Sequence, residues 1–174
     1  IAVLPPNSAS AAGNSSIVLD GVNDAVQLGT GSATNSLRGT QFTLELWFKR
    51  TGAGLTTGTG TGGITAVPLI AKGRSEADGT NQDANYFLGV DANGRLAADF
   101  ESTLTTNNNN PVTGTTVISM NVWHHAAATF SGTQLCLYLD GVLDGTCLGT
   151  TQVPRQDSIQ QVGVGTAFNS LNVA

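Results

Sequence analysis

The chain contains few charged residues. Asp, Glu, Lys and Arg make up 11% of the 174 residues, and the net charge is −5, whereas soluble domains average about 25% charged residues. A negative chain without a basic patch is repelled by phosphate backbones and anionic lipids, so we expect no nucleic acid partner. The polar surface must come from Thr, Ser, Asn and Gly, a composition common in secreted and cell-surface proteins, and we therefore expect an extracellular or cell-surface location.

Long apolar runs are also missing. No stretch approaches the roughly 20 apolar residues that cross a bilayer, so we expect no membrane insertion. The two cysteines are too few for a zinc cluster, and no nucleophile elbow, P-loop or dinucleotide fingerprint occurs in a strand-to-helix context. The chain begins at Ile1, which favours a processed precursor or a fragment of a longer protein. Residues 1–15 are predicted to be a linker and residues 16–174 a single domain.

What the chain does contain is β-type alternation. In the segment FTLELWFK at residues 42–49, apolar residues occupy every second position, a period that fits a strand and no helix. Similar short runs, separated by turn residues, follow along the chain, and no amphipathic helical period of useful length occurs. The sequence therefore predicts an all-β fold, a sandwich of two antiparallel sheets.

Two hairpins and one disulfide are predicted from the residues alone. DANG at residues 91–94 and Asp140-Gly141 tolerate positive φ between apolar runs, as tight turns require. Cys136 and Cys147 flank the second turn. A four-residue loop places them directly opposite each other and a two-residue loop places them diagonally, but both side chains lie on one face in either case. An exported chain would oxidise them to a disulfide.

Four motifs resemble the laminin-G-like domains of the concanavalin A-like lectin/glucanase superfamily. They are LDGVNDAV at residues 19–26, FTLELWF at 42–48, WHHAAATFSG at 123–132 and LCLYLDG at 135–141. Their order and spacing match the family over roughly residues 17–165. The resemblance implies a jelly roll and a non-catalytic recognition or adhesion module within a larger surface or secreted protein. Its implied partner is a glycan or an extracellular protein.

One departure from the family concerns its closing strand. The family continues after the element at residues 162–165 with a strand of the type Gly-x-Ile-Asp-Glu-Val-Arg, which this chain lacks up to Ala174. An edge without its partner strand promotes self-association. Either the domain is truncated at its C-terminus, which predicts a monomeric module, or another chain donates the strand, which predicts a structural subunit of a filament. The apolar residues Phe168, Leu171 and Val173 must in either case pack somewhere.

Catalysis is not expected. Polysaccharide hydrolases of this superfamily carry a Glu-x-Asp-x-x-Glu strand, and this chain offers only Asp99 and Glu101 on one strand face. A hydrolase domain therefore remains the second alternative to the recognition module.

Calcium is the cofactor that the resemblance implies, because the family often holds this ion with loop oxygens. The candidate ligands are Asp78, Asn81 and Asp83 in the loop at residues 76–83, with Asp20 and Asp24 as secondary candidates. A polar turn with side-chain capping is the alternative for this loop. The adjacent His124 and His125 point to opposite faces of a predicted strand and so cannot chelate one ion together.

Sugar binding requires an exposed aromatic face together with amide or carboxylate hydrogen-bonding groups, although most aromatic residues lie in cores. The predicted ligand-binding residues are Trp47, Asn85, Tyr86, Asp99, Phe100 and Tyr138.

Overall fold

The computed structural model describes residues 15–29, 37–102, 109–171 and 173–174, so most of the predicted N-terminal linker lies outside the described residues. Within these segments the chain forms twelve strands and no helix. They are β1 (Val26–Leu28), β2 (Phe42–Lys49), β3 (Thr57–Gly58), β4 (Thr65–Lys72), β5 (Tyr86–Asp91), β6 (Leu96–Phe100), β7 (Val112–Thr113), β8 (Trp123–Phe130), β9 (Gln134–Leu139), β10 (Val142–Leu143), β11 (Leu148–Gly149) and β12 (Val162–Val164). A search of the same segments finds no helix that could cross a membrane.

The strands form two antiparallel sheets, which confirms the predicted sandwich. The larger sheet has the order β1-β12-β4-β5-β6-β7, with β3 paired to β4, and the smaller sheet has the order β10-β9-β8-β2, with β11 paired to β9. Each sheet therefore has an inner face, packed against the other sheet, and an outer face.

The alternation in β2 decides which side chains enter the core. Leu44, Leu46 and Phe48 are buried, whereas Thr43 and Glu45 are exposed on the outer face. The same alternation in β5 and β6 sends every second side chain inward to the apolar core between the sheets. Because the period is two, the register of each strand also fixes which residues lie on the outer faces.

A cluster of aromatic rings forms the centre of the core. Phe100 and Phe130 lie 4.6 Å apart between ring centroids, and Phe42 lies 5.8 Å from Phe130 and 5.5 Å from Tyr86. These rings come from both sheets, so their contacts hold the two layers together.

The second predicted hairpin has a two-residue turn. Asp140 and Gly141 have φ values of 52° and 80°, as a type I′ turn requires, and Leu139 pairs with Val142. The register then shifts by two residues, because Leu148 pairs with Leu135 in β11. This shift places Cys147 opposite Cys136, and the predicted disulfide is present with a Cα–Cα distance of 4.4 Å. The expected diagonal arrangement for a two-residue turn was therefore wrong, since the bulge restores direct opposition.

The sequence predicts an open sheet edge where the family's closing strand is missing. In the structure, β2 forms such an edge of the smaller sheet. This strand pairs with β8 along its whole length and has no second partner within the described segments. The C-terminal tail lies elsewhere. Ala167 packs into a second apolar cluster on the outer face of the larger sheet, and Phe168 is 5% exposed, whereas Leu171 is 78% exposed.

Candidate functional site

The six residues predicted to bind a sugar separate into three places in the structure. Trp47 and Tyr138 lie on the outer face of the smaller sheet, Asn85 and Asp99 lie on the outer face of the larger sheet, and Tyr86 and Phe100 lie in the core. The rings of Tyr86 and Phe100 are 6% and 1% exposed, so they offer no surface for stacking. The alternating pattern shows that Tyr86 and Phe100 share a face of the sheet. It does not show that this face is the one covered by the smaller sheet.

The outer face of the smaller sheet carries a group of rings that we call the aromatic face, comprising Trp47, Trp123, His125 and Tyr138. All four are partly exposed. Trp47 in β2 is the register partner of His125 in β8, and their ring centroids lie 5.4 Å apart. The alternation that buries Phe48 thus directs Trp47 outward, and pairing in register brings its ring against a second one.

Charged groups flank the aromatic face. Lys49 is the register partner of Trp123, and its Nζ lies 5.8 Å from the ring centroid. Glu45 Oε2 lies 3.8 Å from His125 Nε2, with the Glu45 side chain 65% exposed. Exposed contacts of charged groups contribute little stability, so Lys49 and Glu45 remain available to hydrogen-bond a ligand lying across the rings.

The outer face of the larger sheet is different in character. Asn85, Glu101 and Asn109 form a line of polar side chains that we call the polar row. Glu101 forms an antiparallel bridge with Asn109, and one further step in the β5–β6 register beyond Tyr86↔Phe100 sets Asn85 opposite Glu101. Side chains directly opposite each other on one sheet face have Cβ atoms about 5 Å apart. Glu101 therefore lies between the two amides.

Most polar atoms of the row have no hydrogen-bond partner, although Asn109 Nδ2 donates to the Thr61 carbonyl at 3.0 Å. Asn85 and Glu101 are each 0% exposed. Both amide atoms of Asn85, both carboxylate oxygens of Glu101 and Oδ1 of Asn109 are buried and unpaired. Buried polar groups are almost always hydrogen-bonded, because an unpaired one costs about 1–3 kcal/mol. The polar row is therefore a buried group of side chains whose hydrogen-bonding capacity is largely unused.

Asp99 lies on the same face as Glu101, two residues earlier in the chain. Its Oδ2 accepts a hydrogen bond from the Thr59 hydroxyl at 2.5 Å, and its Oδ1 accepts one from the Asn110 backbone N–H at 2.6 Å. The loop that carries Thr59 packs closely here, since a Cβ placed at Gly63 would lie 2.7 Å from Asp99 Oδ2 and 2.9 Å from Asn109 Cγ. Only glycine fits at this position.

One guanidinium group lies among these carboxylates. Arg155 is 2% exposed, and its Nη1 lies 3.8 Å from Oδ2 of the fully buried Asp83. Arg155 also makes a two-point contact with the exposed Asp157, at 2.9 and 3.2 Å. The backbone N–H of Arg155 donates to the Glu101 carbonyl at 2.8 Å, which ties the Arg155 segment to the polar row.

The pKa values of three buried carboxyl groups, those of Asp83, Asp99 and Glu101, are raised. Burial, together with the negative charge of Asp83 and against the opposing charge of Arg155, raises the pKa of Glu101 to about 8. Burial raises the pKa of Asp99 to about 7 despite the hydrogen bonds from Thr59 and Asn110. The pKa of Asp83 is also raised by burial. The charged forms are therefore disfavoured unless a cation compensates them.

The residues predicted to bind calcium form capped turns instead. Asp83 accepts hydrogen bonds from the backbone N–H groups of Gly79 and Ala84 at 2.8 and 2.9 Å. Asp78 accepts from the Ser75 hydroxyl and the Thr61 N–H, and Asn81 is exposed. Within the described residues, no three His, Cys, Asp or Glu side chains are placed to share a metal ion. This arrangement resembles the alternative of a polar turn with side-chain capping, and calcium binding by this loop stays a prediction.

Asp20 and Asp24 lie beside a separate pocket of about 250 Å³, between residues 19–24 and the loop after β2. Asp20 accepts from the Val22 N–H at 2.8 Å, and Asp24 accepts from the Asp20 N–H at 3.1 Å. These contacts shape a turn. Phe48 is the one aromatic residue in the pocket lining and is 1% exposed, so the pocket offers no ring for a sugar.

Comparison with known proteins identifies the fold family. A laminin G-type model of the concanavalin A-like lectin/glucanases superfamily matches residues 20–171. The chain belongs to this superfamily. The predicted resemblance is therefore confirmed. No curated protein is similar enough to count as a match.

Solved structures of other superfamily members resemble this chain in fold. The CBM40 domain of a Ruminococcus gnavus IT-sialidase, bound to α2,3-sialyllactose, has a TM-score of 0.59 at 16% identity, covering 87% of this chain and 82% of that one. Domains LG4-5 of the mouse laminin α1 chain have a TM-score of 0.49 at 12% identity, covering 73% of this chain and 28% of that one. A galectin from Caenorhabditis elegans has a TM-score of 0.42 at 8% identity, with 84% of each chain covered. At these identities the likeness concerns the fold.

Proposed function

We propose that this chain is a non-catalytic carbohydrate-recognition module of an exported protein, and that a glycan binds across the aromatic face. The observation that carries the proposal is the set of partly exposed rings on the outer side of the smaller sheet. Pyranose rings present patches of C–H groups that stack on aromatic rings, and their hydroxyl groups donate hydrogen bonds to carboxylates and accept them from ammonium groups nearby. Trp47 and Trp123 supply the rings, and Glu45 and Lys49 supply the charged groups.

The proposal of a module without catalysis rests on the placement of the carboxylates. Asp99 and Glu101, the pair considered for a hydrolase, are 1% and 0% exposed, and both oxygens of Asp99 already accept hydrogen bonds. A glycosidase must place two carboxyl groups against the scissile bond of a bound sugar. The Cys136–Cys147 disulfide favours an exported protein, because disulfides persist in oxidising compartments.

Tryptophan fluorescence provides a direct test, since the chain has two Trp residues and both belong to the aromatic face. Glycans that bind in an array screen are titrated against the protein while emission is recorded. We expect the emission to change with the same dissociation constant that calorimetry gives. Trp47→Ala is expected to weaken binding about 30-fold, because a buried aromatic contact is worth about 2 kcal/mol.

Leu171→Ala is the matched control, because this side chain is 78% exposed and lies outside the aromatic face. It should bind the glycan with native affinity. Circular dichroism of both variants checks that they are folded. Native affinity in a folded Trp47→Ala, Trp123→Ala double variant, or no binding to any glycan in the array, would refute the proposal.

A further inference from the structure

The outer edge of β2 is a feature of the molecule that the proposed function does not use. β2 pairs with β8 on one side and has no second strand partner within the described segments. The direction of its backbone groups follows from β8. The backbone N–H of Asp140 donates to the His125 carbonyl at 2.8 Å, and Asp140 Oδ1 accepts from the His125 N–H at 2.8 Å. Both backbone groups of His125 therefore point away from β2.

The backbone groups of every second residue of β2 point to the open edge. In an antiparallel ladder, a residue whose N–H and C=O point away from the neighbouring strand lies opposite a residue whose groups also point away. Trp47 is the register partner of His125, so its N–H and C=O point to the edge. Because this direction alternates along a strand, the backbone groups of Thr43, Glu45 and Lys49 point the same way. A further strand can extend the sheet at such a row of donors and acceptors.

The side chains along this edge are self-complementary. An antiparallel partner keeps the inner and outer faces of the sheet only if outward-facing residues lie opposite outward-facing residues. If the partner is a second copy of β2 and the two Trp47 residues lie opposite each other, Glu45 lies opposite Lys49 on both sides of the twofold axis. On the inner face, Leu46 of one copy then lies opposite Phe48 of the other. Registers shifted by two residues in either direction leave Glu45 and Lys49 without a partner of opposite charge.

We propose that two copies of this chain associate by antiparallel pairing of their β2 strands about a twofold axis at Trp47. The two smaller sheets then form one continuous sheet, with both aromatic faces on the same side. Identical patches that match each other give a closed dimer, whereas strand donation from chain to chain gives a filament. The contact between two edge strands is small, so the dimer is weak. Its formation is measured without glycan, so the failure of either proposal leaves the other intact.

Light scattering over a concentration series tests the dimer. The mass of the native chain is expected to rise from 17.7 kDa towards twice that value. Glu45→Lys and Lys49→Glu each convert both charge pairs into like-charge pairs, and each is expected to weaken association about 30-fold. A mixture of the two variants restores both pairs, so it should form a heterodimer with about the native affinity. Asn81→Lys changes an exposed residue outside β2 and should associate as the native chain does.

Cysteine cross-linking tests the register. The two cysteines of the chain already form the Cys136–Cys147 bridge, so Trp47→Cys adds a single thiol. Hydrogen-bonded residues directly opposite each other have Cα atoms about 5.5 Å apart, within the range of a disulfide. Under mild oxidation Trp47→Cys should therefore give a covalent dimer, whereas Glu45→Cys, whose two copies lie apart on either side of the axis, should not.

Two results would overturn the proposal. The first is a native mass that stays monomeric at every concentration or that grows beyond a dimer, the latter being the expected result of strand donation. The second is the absence of a heterodimer when the two charge variants, both folded by circular dichroism, are mixed.

Discussion

The two outer faces of this sandwich have opposite characters, although both arise from the same alternation. On the larger sheet, the loop at residues 59–64 and the tail around Phe168 cover the face, and its polar side chains are buried. On the smaller sheet, no described segment covers Trp47 and Tyr138 fully, and both remain partly exposed. A covered face keeps its polar side chains away from bulk solvent. A bare face with rings suits an extended, hydroxyl-rich ligand.

The two outer faces should also differ in how much stability the fold loses when a charged residue is substituted. In the covered face each charge depends on its neighbours, because no water replaces a lost partner. In the bare face water can take the place of any charged partner, so single charges contribute little. Stability measurements on matched variants of the two faces therefore test whether this distinction holds.

Arg155 should give the largest effect. Arg155→Met removes the guanidinium that is buried near Asp83, and breaking a buried ion pair from one side costs about 3–5 kcal/mol. The free energy of unfolding, measured by urea titration, is expected to fall by that amount.

Lys49→Met is the control on the bare face. The Lys49 ammonium contacts the Trp123 ring at 5.8 Å, and an exposed contact of this type is worth about 0.5–1 kcal/mol. Equal losses from Arg155→Met and Lys49→Met would show that the two faces do not differ in the way described.

The fold could be predicted from the sequence to a large extent, because sheet alternation and turn residues are local signals. β2, the two hairpins and the disulfide all follow from spacing within about a dozen residues. The bulge after the Asp140-Gly141 turn could not be predicted, because its register depends on how β11 meets β9. Local spacing identified the two cysteines of the disulfide but did not predict the register shift in the strand segments between them.

The candidate site was less accessible to sequence reasoning. Asn85 and Asp99 were selected as polar residues near a sugar, but their shared face with Asn109 depends on the bridge between Glu101 and Asn109. Arg155 was not selected, since its burial arises from a contact with residues more than 50 positions away. Trp123 and His125 were missed as members of the aromatic face beside Trp47, although their odd positions in a predicted strand were a usable signal.

Loss of the disulfide should have an intermediate effect and should be confined to the smaller sheet. Cys136 lies on the same outer face as Tyr138, and the bridge spans 11 residues. A loop of this length is expected to contribute about 2–3 kcal/mol, so the Cys136→Ser, Cys147→Ser variant should unfold at lower urea concentration by that free energy. An unchanged free energy of unfolding in this variant would show that the bridge does not stabilise the smaller sheet.

The pH dependence of stability tests the buried acids of the covered face. Burial raises the pKa of Glu101 from 4.5 to about 8, so the folded chain keeps a proton that the unfolded chain has released. The stability that Glu101 contributes is therefore complete below pH 4.5 and is lost as the pH rises towards 8. Glu101→Gln cannot ionise, and its stability should decline less than that of the native chain across this window.

Asp99 and Asp83 also lower the stability as the pH rises. Burial raises the pKa values of Asp99, to about 7, and of Asp83, so the Glu101→Gln curve should be flatter than the native curve but not level. Glu45→Gln changes an exposed carboxylate of the bare face and should follow the native curve. Urea titrations between about pH 4 and pH 9 provide the measurement. Parallel curves for the native chain and Glu101→Gln would mean that Glu101 ionises as a surface carboxylate does, and the covered face would then be open to water.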